Sequence, residues 1–168
     1  MLNKNLTTQF NKQLNREFYS SYLYLDMAAW CATNGYKGSA NWFMVQHEEE
    51  RSHAFKIYNY ILDQGSTIEL LEVKKPKLQH SSLLECFEQS LAHEKKMTKA
   101  LNKLTDSAMT EKDHASYSFL QWFLTEQIEE EASVSEIIDK LKLVDNGNGI
   151  FIIDSQLSSR VLTAQQGA

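Results

Sequence analysis

The chain has 168 residues, of which 42% are apolar, with one proline, two cysteines and a formal charge of −5. That length suffices for one domain with a substantial core, while the negative balance and the lack of a basic run exclude general attraction to nucleic acid or an anionic membrane. No stretch of about 18 apolar residues offers to span a bilayer, and Met1-Leu2-Asn3-Lys4-Asn5 lacks the apolar segment of a secretion signal, so a cytoplasmic protein with reduced cysteines is expected.

A first helix is predicted from about Thr8 to Thr33, stopping before Asn34-Gly35. A second runs from about Ser39 to Leu62 and ends near Gly65. Segment 66–81, with Pro76 and the cluster Lys74, Lys75 and Lys77, reads as a long extended connection. Ser82-Leu83-Leu84-Glu85 has the form of a capping box and opens a third helix that reaches about Ala108. Asp113 can cap a fourth, to about Val144. Asp145-Asn146-Gly147-Asn148-Gly149 then breaks the chain, a short fifth helix follows from Ile150 to about Leu162, and Gln165 to Ala168 should fray. Helices of this length are roughly 40 Å long, and the long connection can carry the chain back so that the second and third run parallel. The expectation is one all-α domain over residues 1–168, with a four-helix bundle at about 8–144 and a tail helix at about 150–162.

Each long helix carries an inward stripe with a polar fault in its middle. The first stripe reads Phe10, Leu14, Glu17, Ser21, Tyr24, Ala28. The second reads Phe43, Gln46, Glu50, His53, Ile57, Tyr60. The third reads Leu84, Phe87, Leu91, Glu94, Thr98, Leu101, and the fourth Leu120, Phe123, Gln127, Glu130, Val134, Ile137, Leu141. Steps of three and four are the period of a helix seam facing other helices. An isolated buried carboxylate there costs several kcal/mol or is forced neutral. Four faults at one depth point to a metal ion. The same 33 residues separate Glu17 from Glu50 and Glu94 from Gln127, as two similar hairpins around one site require.

Glu50 and His53 are three apart on one helix face, so both can reach one ion. Glu17 and Glu94 add a carboxylate each. Oxygen ligands with one imidazole suit iron or manganese, and no thiolate is available to favour zinc or copper(I). Two ions bridged by Glu50 would sit roughly 3.5–4 Å apart. Glu17, Glu50 and His53 would hold one; Glu50, Glu94 and the neutral Gln127 would hold the other more weakly. The weaker position suits a site that releases its product.

With these residues the chain resembles the bacterial non-haem ferritins over essentially its whole length. Ferritin-like di-iron bundles carry a Glu on two helices and Glu-x-x-His on the other two; Gln127-x-x-Glu130 departs from that on the fourth helix. Gln127-Ile128-Glu129-Glu130-Glu131 and Phe119-Leu120-Gln121-Trp122-Phe123 also look like this family. The resemblance implies a ferritin-like fold and a ferroxidase centre at Glu17, Glu50, His53, Glu94 and Gln127. It implies oxidation of Fe(II) by oxygen or peroxide and a homo-oligomeric cage of twenty-four subunits holding ferric mineral. It further implies a third iron position at Glu49, Glu126, Glu129 and Glu130, and Tyr24 as an electron donor beside the pair. Haem is not expected, because the haem-carrying relatives have methionine after the bridging glutamate where this chain has Arg51.

Blander assignments compete. Tyr24 can be a core tyrosine with a bonded hydroxyl, and Glu131 plain surface. His47, His80, His93 and His114 read as solvated or locally bonded, Trp122 as packing, and Gly35 and Gly38 as loop punctuation. Two other functions fit the same stripes: a non-storing di-iron oxidase or peroxidase of rubrerythrin-like type, or a bundle whose polar layer only fixes register.

Overall fold

The computed structural model describes residues 1–77, 80–144 and 147–162. The expected fraying of Gln165 to Ala168 and the Asp145-Asn146 part of the break lie outside these residues. Five helices follow in order: α1 (Lys4–Thr33), α2 (Lys37–Asp63), α3 (Leu83–Thr110), α4 (His114–Lys142) and α5 (Gly147–Leu157). There is no strand among the described residues. No described helix is long and apolar enough to cross a membrane.

The helix starts follow capping chemistry. α1 begins a turn earlier than expected, because the Asn3 side chain accepts from Leu6 N at 2.8 Å and satisfies an otherwise unpaired amide. Ser82 caps α3 by accepting from Glu85 N at 3.1 Å, while Glu85 reaches back to Ser81 N at 2.8 Å, one residue beyond a regular capping box. Asp113 caps α4 through Ser116 N.

α1 packs on α2 and α3 on α4, while α1 also meets α3. Phe43 of α2 stacks on Phe87 of α3 near both helix starts, whereas Tyr60, near the α2 end, stacks on Phe119 near the start of α4. α2 and α3 are therefore parallel, and the segment between them is the long crossover. Two asparagines of α1 hold it with paired amide bonds. Asn11 donates to Thr67 O at 2.8 Å and accepts from Glu69 N at 2.7 Å; Asn15 repeats the pattern at Glu69 O and Leu71 N. An extended chain can be bonded this way without a partner strand.

The buried face of α3 is turned from the expected stripe. Leu84, Leu91 and Thr98 are half-buried, and Leu83, Ser90 and Met97 are buried instead, alongside Phe87, Glu94 and Leu101. The cause is that α3 packs against α1 as well as α4, so its inward arc shifts by about one position.

α5 also departs from expectation. It begins at Gly147 and stops at Leu157, not Leu162. Gly149 lies in its first turn, where a Cβ would stand 2.7 Å from Val144; close approach, not breaking, is its role. After Leu157 the chain turns, and the Asn41 amide takes the carbonyls of Ser158 and Arg160 at 3.3 and 2.9 Å. Asp154 docks α5 on the start of α2, accepting from Gly38 N, Ser39 N and Ser39 Oγ at 2.7–3.0 Å. An anion at a helix N-terminus is favoured by unpaired amides and the helix dipole. Gly38 is thus no loop punctuation: it is buried within α2, and a Cβ would overlap Asp154 O at 1.6 Å.

Candidate metal centre

The bundle core divides into two apolar clusters. One holds Leu23, Met27, Phe43, Phe87 and Val134; the other holds Phe10, Leu14, Ile57, Leu101 and Phe123. Between them lie the middle turns of α1 to α4, which contribute Glu17, Glu50, His53, Glu94, Gln127 and Glu130. The first five are buried, with at most 6% exposure, and the Glu130 side chain is 10% exposed.

Two groups of ligand atoms form there. Glu17, Glu50 and His53 present theirs within 4.8 Å of one another, and so do Glu50, Glu94 and Glu130. Glu50 belongs to both. Glu50 Oε1 and His53 Nε2, both in this layer, are among the buried side-chain atoms that show no hydrogen-bond partner. Buried polar atoms are rarely left unpaired, so these two call for a partner that is not a protein group. His53 Nδ1 lies 3.6 Å from Glu50 Oε2 and 3.9 Å from Glu130 Oε1. Its ring packs edge-on against Trp122 and Phe123, which exclude water on that side. A set of carboxylate oxygens with one imidazole nitrogen fits iron or manganese.

Around these groups the structure supplies orienting bonds. Gln13 donates to Glu17 Oε1 at 2.8 Å, and Arg16 holds the other end of Gln13 at 3.1 Å. Gln127 donates to Glu94 Oε2 at 2.6 Å, so its amide nitrogen is committed to a ligand. Gln46 donates to Glu130 Oε1 at 3.2 Å. The Tyr24 hydroxyl donates to the Glu94 carboxylate and lies 3.1 Å from Ser90 Oγ. Fixing ligand carboxylates through neighbours is what second partners do in metal sites.

Electrostatics separate this layer from ordinary core. Burial raises the Glu17 carboxyl to about 7, partly opposed by the bond from Gln13. Burial and then the neighbouring carboxylates push Glu50 and Glu130 well above the usual range, and burial also raises Glu94. Burial lowers His53 to about 4, so the imidazole is neutral at pH 7 and free to act as a ligand. Burial, with Glu94 next, holds the Tyr24 hydroxyl well up. Burial thus favours the protonated form of these carboxyls, and a cation bound among them would favour the ionised form.

The third expected cluster is arranged differently. Glu49, Glu126, Glu129 and Glu130 line one cavity of about 380 Å³ with Gln46, Ser133, Arg160 and Val161. Glu49, Glu126 and Glu129 belong to neither ligand group. The Arg160 guanidinium instead donates to the Glu49 carboxylate and to Gln46 Oε1 at 2.9 Å. Glu130, read from sequence as a ligand of this third position, has its carboxylate in the group with Glu50 and Glu94. Of the residues set down as bland, Glu131 is half-buried and accepts from Thr98, and His93 is half-buried against Ser20 Oγ at 2.7 Å. Gln13 and Arg160 were missed. Gln13 sits four residues before Glu17, a spacing that flags it. Arg160 lies 111 residues from Glu49, with no local signal.

The family model of the ferritin-like domain matches residues 7–144. The chain belongs to the ferritin family. It is 44% identical to the bacterial non-heme ferritin of Staphylococcus saprophyticus over 161 residues, 95% of this chain and 96% of that protein. With that of Staphylococcus aureus it shares 42% over 161 residues, 95% and 97% of the two chains. Among solved structures, the open-pore ferritin of Archaeoglobus fulgidus superposes with a TM-score of 0.94 at 39% identity, covering 95% of this chain and 98% of that one. A humanized archaeal ferritin gives 0.95 at 40% identity, covering 97% and 99%. The architecture is thus the ferritin-like four-helix bundle with a short C-terminal helix.

Proposed function

We propose that this ferritin-family chain is an iron-storing ferroxidase: one domain over residues 1–168, cytoplasmic, assembled with its own copies into a twenty-four-subunit cage. The observation that carries the reading is the shared ligand Glu50, with its unpartnered Oε1, between two three-residue ligand groups. Fe(II) is the substrate. Glu17, Glu50 and His53 take one ion; Glu50, Glu94 and Glu130 take the other, with Gln127 steadying Glu94. Each Fe(II) gives up one electron; dioxygen accepts two electrons and two protons and leaves as hydrogen peroxide, which can serve as oxidant in turn. Burial favours the protonated form of these carboxyls and a bound ion favours the ionised one, so protons leave as the ions bind. Tyr24, bonded to Glu94, stands where it can supply a further electron. Glu49, Glu126 and Glu129, with Glu130 shared, form a third position through which oxidised iron clears the pair. A ferric mineral inside the cage is the product.

Iron loading of the purified particle tests this. Addition of Fe(II) in air should give fast oxidation of two ions per subunit, followed by retention of many more in a particle far heavier than a dimer. Glu50→Ala, which removes a candidate ligand from both groups, should slow the fast phase by at least about a hundredfold, since loss of even a group that only orients a metal ligand costs about 10–100-fold. Wild-type rates in a folded Glu50→Ala protein would remove the centre. Fast oxidation without retention, in a dimer, would instead favour a non-storing di-iron oxidase.

A further inference from the structure

The acidic cavity beside the pair already contains a cation, and it comes from the C-terminal segment. Arg160 is the one basic residue among those lining the cavity, against Glu49, Glu126, Glu129 and Glu130. Its guanidinium donates to Glu49, to Gln46 Oε1 at 2.9 Å and to Trp42 O at 3.4 Å, and it lies 4.2 Å over the Trp42 ring. A planar guanidinium with five donors suits such a set better than any other side chain. Gln46, meanwhile, donates from its amide nitrogen to Glu130 Oε1 at 3.2 Å, so one glutamine joins the arginine to the second ligand group.

We propose that Arg160 is the built-in occupant of the third metal position, and that a metal ion enters it by displacing the guanidinium from Glu49. This rests on the iron-handling reading above. Arg160 would thereby set the order of filling: the pair first, the third position only once the ion outcompetes the arginine. Displacement is local because the anchors are separate. α5 is held by Asp154 on the start of α2, while the segment beyond Leu157 is held by Asn41 at two carbonyls and by Arg160 itself. Val161 and Leu162 are 74% and 50% exposed, so little apolar surface resists the release. The arginine also accounts for a cavity lined by four carboxylates in the absence of a second basic lining residue: it offsets their mutual repulsion until the ion does so.

The test uses the metal-stripped, assembled, full-length protein and Zn(II), which binds oxygen and nitrogen ligands and cannot be oxidised. In calorimetric titration, R160Q should tighten the weakest class of Zn(II) binding by on the order of tenfold or more, the size of one charge-assisted hydrogen bond, and leave the tighter classes unchanged. The gain should vanish in R160Q/E49Q. N41A, which loosens the segment but keeps the charge, should give a smaller gain in the same direction. With Trp30 and Trp122 replaced by phenylalanine, Trp42 emission should change as the weakest class fills in the Arg160 protein and stay flat in R160Q. An R160Q isotherm superimposable on wild type, a gain that survives E49Q, or Trp42 emission that ignores filling in the Arg160 protein would each overturn the proposal. If the tighter classes persist in Glu50→Ala, the reading of the pair fails instead, and the comparison of R160Q with R160Q/E49Q still decides the role of Arg160.

Discussion

Replacing Glu17 by glutamine should make the metal-free protein more stable, and metal binding should remove most of that advantage. Glu17 is 2% exposed and its carboxyl is raised from 4.5 to about 7, with burial as the main cause. The folded state therefore holds this proton more tightly than the unfolded chain. The stability so gained is complete below about pH 4.5 and is lost as the pH rises to about 7. A carboxyl displaced that far costs about 3 kcal/mol to carry at pH 7 and above. Glutamine is nearly isosteric, remains neutral and keeps an oxygen for the 2.8 Å bond from Gln13. The gap in unfolding free energy between variant and wild type should thus grow by about 3 kcal/mol from pH 4.5 to pH 8. His53 and His93, both lowered to about 4 by burial, change stability with pH in the opposite direction, but they are common to both proteins and cancel in the difference. Denaturant unfolding of metal-stripped protein at fixed subunit concentration, from pH 4.5 to 8, measures the gap. Zn(II) at a hundred times its dissociation constant stabilises the wild type by about 2.7 kcal/mol per site and should offset most of it. A gap that does not vary with pH would refute the claim that Glu17 is held protonated by the site.

Three other outcomes are expected. His53→Ala should remove one tight Zn(II) site per subunit and leave the group of Glu50, Glu94 and Glu130 able to bind; calorimetry showing two undiminished sites would make His53 a packing residue. Changing Glu49, Glu126 and Glu129 together to alanine should preserve fast oxidation of the first two irons but alter the iron oxidised per oxygen consumed in excess iron, and an unchanged ratio would leave these acids as surface charge. Gly38→Ala should force α5 off the start of α2, because its Cβ would meet Asp154 O at 1.6 Å. Far-UV circular dichroism should then show the four-helix bundle retained while sedimentation shows assembly impaired; an intact particle would mean that α5 docking is not needed for it.

Much of the fold and of the centre was legible because both rest on periodicity. Glu17, Glu50, Glu94 and Gln127 stand out as faults in apolar stripes, and the stripes on α1, α2 and α4 hold residue by residue apart from the half-buried Tyr60 and Glu130. The α3 stripe misled because a helix with two neighbours buries a wider arc than one seam, and sequence spacing alone does not say how far that arc turns. Glycines misled where their function is close approach. Gly38 and Gly149 read as breakers, yet both are helical and face a neighbour's atoms where a side chain will not fit. Arg160 was illegible for a different reason: its partners Trp42, Gln46 and Glu49 lie on a helix more than a hundred residues away, and only the turn after α5 brings it there.

The division of the core into two apolar clusters explains how the chain tolerates its own centre. Glu17, Glu50, Glu94 and Glu130 are four carboxyls within one layer, each raised by burial, with repulsion from its neighbours in the layer adding at Glu17, Glu50 and Glu130, an arrangement that by itself opposes folding. The layer is bracketed by Phe43 and Phe87 on one side and by Phe10, Leu14 and Leu101 on the other, all buried. Aromatic and aliphatic burial of that kind contributes about 1.5–3 kcal/mol per side chain, several times over on each side. The bundle is thus held from both ends, and the middle remains free to keep acids of raised proton affinity, an unpartnered Glu50 oxygen and a neutral imidazole. A layer that needed its ions to fold could not release them. Here the ends supply the stability, so the helices can stay in place whether or not ions fill the layer between them.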